Sequence, residues 1–89
     1  MDLGLKGKVA LVTGSSRGIG RSIAETLADE GCDLLLTGRD QALLDETAAA
    51  VRGKGRKAVI VTIDLREERA PATLIETVQR EFGRLDVLV

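Results

Sequence analysis

Four short apolar runs alternate with three stretches of helical periodicity, and this alternation limits the possible folds more than any other feature. The first run, residues 9–12, reads Val-Ala-Leu-Val between Gly7-Lys8 and Thr13-Gly14. Runs this short and this uniformly apolar suit strands buried on both faces, as in a parallel sheet. The others are residues 34–37, the β-branched stretch 58–63, and residues 85–89. Between the first two, Ile19, Ile23, Ala24, Leu27 and Ala28 recur at helical spacing, with Arg21, Glu25, Asp29 and Glu30 opposite. Gly31 is placed to stop that helix. Leu44, Ala48 and Val51 repeat the pattern behind Asp40, a suitable N-cap, and end near Gly53. Leu74, Ile75, Val78 and Phe82 form a third apolar stripe closed by Gly83, with Pro71 tolerable only in its first turn. Strand and helix alternating three times before a last strand predict a doubly wound α/β fold. Its parallel sheet has about four strands and three helices, β-α-β-α-β-α-β, with right-handed crossovers.

Composition removes many chemistries. The 89 residues carry 13 Lys and Arg against 14 Asp and Glu, interspersed, which leaves no footprint for nucleic acid or an anionic membrane. No apolar run approaches the roughly 20 residues of a membrane span. The start, Met1-Asp2-Leu3-Gly4-Leu5, lacks the basic and long apolar segments of a secretory leader. The single cysteine, Cys32, reads as a small core residue and fits a reducing cytoplasm, the expected location. There is no His, Trp or Tyr. This excludes Ser-His-Asp and Cys-His catalysis, zinc sites built on His or several Cys, and aromatic platforms for single-stranded nucleic acid.

The first turn, Thr13-Gly14-Ser15-Ser16-Arg17-Gly18-Ile19-Gly20, joins a buried run to an amphipathic one. In that setting each glycine has a task. Gly14 turns the chain sharply off the strand, Gly18 lets the backbone approach a diphosphate, and Gly20 permits close helix packing. The helix start then offers unpaired amides and its positive dipole end to an anion, and Ser15 and Ser16 can add hydroxyl donors. No Gly-Lys-Ser or Gly-Lys-Thr follows, so the other common phosphate loop is not present.

The motif from Thr13 to Gly20 resembles the cofactor signature of the short-chain dehydrogenases/reductases, spaced Gly-x-x-x-Gly-x-Gly. The likeness continues through Asp64-Leu65 and through Phe82-Gly83-Arg84-Leu85-Asp86-Val87-Leu88-Val89, and its flavour is that of bacterial 3-oxoacyl-acyl-carrier-protein reductases. It implies a Rossmann-type fold and a nicotinamide dinucleotide as partner. By that resemblance Asp64 accepts from the adenine amino group and the amide of Leu65 reads a ring nitrogen. Asp64 can also be read as a loop acid near a helix start, and Asp86 as structural. At the second strand end, Thr37 and Gly38 are not acidic and Arg39 offers a planar guanidinium. With Arg17, this favours NADP over NAD. Asp40 could serve the ribose, although its place before a helix favours capping.

The resemblance further implies an Asn-Asn-Ala-Gly run directly after Val89, then a catalytic Ser and a Tyr-x-x-x-Lys pair. None of these is among the 89 residues, and Ser15, Ser16 and Ser22 belong to the phosphate turn. Residues 1–89 are therefore expected to be an incomplete NAD(P)-binding domain with no catalytic residue and no metal site. The intact enzyme is expected to pass hydride between NADP(H) and a carbonyl or alcohol substrate. The alternative is a non-catalytic nucleotide-binding or interaction module docked on a full-length relative. An unpaired fourth strand should promote self-association.

Overall fold

In the computed structural model, which describes residues 4–15 and 18–89, every expected strand and helix forms in the expected order. The elements are β1 (Val9–Thr13), α1 (Gly18–Asp29), β2 (Asp33–Gly38), α2 (Gln41–Gly53), β3 (Ala58–Thr62), α3 (Ala70–Glu81) and β4 (Val87–Leu88). All strands are parallel and lie in the order β3-β2-β1-β4. The two central strands, β1 and β2, are buried along most of their length, whereas the edge strand β3 is at most half-buried beyond Ala58.

Alternate side chains enter different layers. Ala10, Val12, Leu34 and Leu36 pack with Ala24 and Ala28 of α1 and Leu44, Ala48 and Val51 of α2. Leu11 and Leu35 point the other way, against Leu74 and Val78 of α3. Cys32 is buried in the first layer, where loss of solvent raises its thiol pKa and leaves it a packing residue. Asp40 caps α2 by accepting from the Leu43 amide at 3.1 Å. Pro71 sits at the start of α3, where a missing N–H costs nothing.

Two apolar residues leave the faces that periodicity gives them. Ile19, in the first turn of α1, is 80% exposed. Ile75 is 61% exposed and turns from the Leu74–Val78 stripe into an open apolar groove of about 540 Å³. Leu11, Leu65, Pro71, Leu85 and Leu88 are among the residues that line it. β4 is shorter than residues 85–89 suggest. Asp86 pairs with the start of β1, its carboxylate accepting from the Val9 amide at 2.9 Å and its own amide donating to Val9 O. Arg84 grips the same carboxylate through two bonds of 2.8 Å. Asp86 is thus the structural residue expected. No helix among the described residues is long and apolar enough to cross a membrane.

Candidate functional site

The carboxyl ends of β1, β2 and β3 open on one side of the sheet, and the glycine turn rises from the first of them. Gly14 and Gly18 have φ of +62° and +59°, a left-handed backbone that side chains disfavour. A Cβ added at either would meet nothing within 4 Å, so among the described residues the outer face of the turn is open. Gly20 is the opposite case. A Cβ there would lie 2.1 Å from Gly14 O and 2.8 Å from Gly14 C, so the helix rests directly on the turn's backbone. No acidic side chain occupies the first turn of α1, so no carboxylate within that turn offsets the positive end of its dipole.

Ser15 departs from the role of hydroxyl donor to a ligand. It is fully buried, and its amide and hydroxyl both donate to Thr37 O, at 3.1 and 3.3 Å. Its carbonyl accepts from Thr47 Oγ1 at 2.9 Å. The close approach of Gly20 presses the turn inward, and Ser15 then locks it to β2 and α2. Nothing local in the sequence separates this orientation from the outward one. Ser16 and Arg17 lie outside the described residues.

Beside the turn runs a second groove of about 570 Å³, lined by Gly14, Gly38, Arg39, Asp40, Ile63, Asp64, Leu65 and Arg66. Arg39 extends from the end of β2 with its side chain 70% exposed, and its Nη1 lies 4.0 Å from Asp64 Oδ2. Arg66 holds the same carboxylate: Nη2 donates to Oδ2 at 2.7 Å, Nε reaches both oxygens, and its amide donates to Oδ1. The side-chain bonds from Arg66, helped by its amide, hold the Asp64 pKa down at about 2, so this acceptor is ionised throughout the neutral range. Leu65 is half-exposed between the two grooves. Sequence reasoning missed Arg66; an acid and a base two apart after a strand were its only signal. The described residues hold no cluster of His, Cys, Asp and Glu suited to a metal ion. Open space at Gly14 and Gly18, a first turn of α1 without an acid and two exposed guanidiniums over one groove suit an extended ligand carrying several phosphates.

Known proteins resemble this chain in sequence and fold. The family model for short chain dehydrogenases matches residues 8–89. A 7alpha-hydroxysteroid dehydrogenase of Clostridium sardiniense is 44% identical over 85 residues, which cover 96% of this chain and 32% of that protein. The solved structure of L-sorbose reductase from Gluconobacter frateurii, complexed with NADPH and L-sorbose, aligns with a TM-score of 0.93 at 39% identity, over 99% of this chain and 34% of that one. An NAD+-bound xylitol dehydrogenase aligns with a TM-score of 0.90 at 37% identity, over 94% of this chain and 32% of that one. The chain thus spans about a third of the length of the relatives it matches. From the glycine turn to the fourth strand, sequence and architecture agree: the chain belongs to the short-chain dehydrogenase/reductase family.

Proposed function

We propose that these residues are the dinucleotide-binding portion of an oxidoreductase and that the dinucleotide is NADP(H). The observation that carries this reading is the contact of Gly20 with the Gly14 backbone beneath an open turn. It seats the start of α1 on the turn, and the open space at Gly14 and Gly18 supports a role for the amides of Gly18, Ile19 and Gly20 as donors to a diphosphate. Gly14 shapes the turn, and Ser15 acts by anchoring it. Ser16 and Arg17 supply further donors from the same turn. Arg39 takes the ribose end, Asp64 the adenine amino group, and the Leu65 amide a ring nitrogen. When bound, the dinucleotide supplies hydride exchange with a carbonyl or alcohol. The proton-transfer Tyr–Lys pair of the family would come from elsewhere, since this sequence has no Tyr.

The solved relatives carry different dinucleotides, NADPH in one and NAD+ in another, so the preference rests on this chain's own residues. The end of β2 offers Thr37 and Gly38 where a carboxylate would repel a 2′-phosphate, and then Arg39. Calorimetric titration of the chain with NADPH and NADH tests the reading. Arg39→Glu is expected to weaken NADPH on the order of 10- to 100-fold, the loss of a charge-assisted contact plus repulsion, and NADH by less than about 3-fold. An unchanged preference for NADPH over NADH in that variant rules out the NADP assignment.

Self-association through the outer edge of β4 belongs to the same reading. Among the described residues Val87 and Leu88 pair with β1 on one side, and Leu88 is 68% exposed. Open edges of this kind pair with a second copy. Sedimentation velocity is expected to show mass rising with concentration, and Leu88→Lys is expected to suppress the rise. A concentration-independent monomer would refute this part.

A further inference from the structure

Both exposed cations of the second groove converge on one carboxylate. Arg66 places four donor contacts on Asp64, between 2.7 and 3.2 Å, and Arg39 Nη1 stands 4.0 Å from the same Oδ2. A carboxylate has roughly four lone-pair sites, so these contacts leave little capacity for a ligand donor. For Asp64 to accept from an adenine amino group, a guanidinium must withdraw. Arg66 is the one that blocks it, and with its side chain 79% exposed it is free to swing.

Resting on the dinucleotide-binding reading, we propose that Arg66 is a specificity residue for the 2′-phosphate. It latches Asp64 in the free chain, and a phosphate at the adenosine ribose draws it off. The phosphate then gains a second arginine beside Arg39, and the Asp64 carboxylate becomes available to adenine. The charges support this exchange. A phosphate monoester carries close to two negative charges and three acceptor oxygens, enough for two planar forks. A ribose hydroxyl offers no such compensation, so NAD(H) must break the latch unaided. The other acid in the groove, Asp40, does not compete. Its carboxylate caps α2, where the helix dipole offsets its charge.

Titrations of the 89-residue chain with 2′,5′-ADP and with 5′-AMP, at one fixed salt concentration, separate the alternatives. Arg66→Gln is expected to weaken 2′,5′-ADP by about 5- to 20-fold, while 5′-AMP holds within about 2-fold or binds more tightly, since the latch is gone. Arg66→Lys, which keeps the charge without the fork, is expected to recover part of the loss. A structural role for Arg66 would move both ligands together, and equal factors for the two overturn the proposal. A parent chain that binds both ligands equally also overturns it while leaving dinucleotide binding intact. A parent that binds neither overturns both. The exposure of Arg66 makes folding insensitive to either change, which circular dichroism checks directly.

Discussion

Gly20→Ala is expected to abolish dinucleotide binding and lower the melting temperature, whereas Gly53→Ala is expected to raise it. Both glycines lie in helices, where alanine is intrinsically favoured, by about 1 kcal/mol in a helix interior and by less at the last residue of α2, where Gly53 sits. Gly53 has nothing within 4 Å of an added Cβ, so that preference acts alone. At Gly20 the new carbon would stand 2.1 Å from Gly14 O and 3.2 Å from Ser15 Cα, all backbone atoms with no rotamer to yield. Nor can the turn retreat. Thr13 N is bonded to Val89 O, Ser15 N to Thr37 O, and Ser15 O to the Thr47 hydroxyl. The helix must therefore move, at a cost of about 1–3 kcal/mol or more, and it carries the phosphate-facing amides with it. In a domain of this size each kcal/mol shifts the melting temperature by roughly 4–8 °C. Thermal melts of the two variants, with an NADPH titration of each, make the comparison. Similar behaviour at the two positions would show that Gly20 is not under steric demand.

That contact also explains what could be read from the chain and what could not. The strand-helix order was legible because each run is predominantly apolar and most glycines, with the one proline, fall at or near element ends. The three glycines of the turn were legible because their jobs are backbone jobs, set by spacing. Periodicity fixed which side of α1 and α3 is apolar but not which of those positions the rest of the fold covers, so Ile19 and Ile75 belong to apolar stripes and yet lie exposed. Side-chain direction at Ser15 depends on how far α1 presses the turn, a tertiary quantity. The Arg66–Asp64 latch has the same origin. Two charged residues in a loop carry no pattern until β3 delivers them to the groove that Arg39 reaches from β2. Asp40 was readable because it acts next to its own position in the chain, on the start of α2, whereas Asp86 was readable only as a structural acid ahead of a strand, since the amide it holds, that of Val9, lies 77 residues away in the chain.

Leu35→Ala is expected to unfold a large fraction of the chain, and to do so from one face. Leu35 is fully buried and is a member of the α3 layer, where the other buried side chains are Leu11, Leu74 and Val78. Removing it costs about 2–5 kcal/mol, against a total of 5–15 kcal/mol for an ordinary domain. Its neighbour Leu36 is equally buried but belongs to the layer of α1 and α2, which has more buried members to share the strain. The two substitutions delete the same atoms at adjacent positions, so a difference between them reports the layers. Hydrogen exchange is expected to show protection in α3 falling first in Leu35→Ala, and protection in α1 and α2 falling first in Leu36→Ala. The loop bearing Asp64 and Arg66 joins β3 to α3, whereas the glycine turn is anchored to β2 and α2 through Ser15. In conditions where each variant remains mostly folded, Leu35→Ala should therefore impair adenosine recognition more than diphosphate recognition. Uniform loss of protection across all three helices in both variants would mean that the layers open as one unit, and the two ends of the groove could not then be weakened separately.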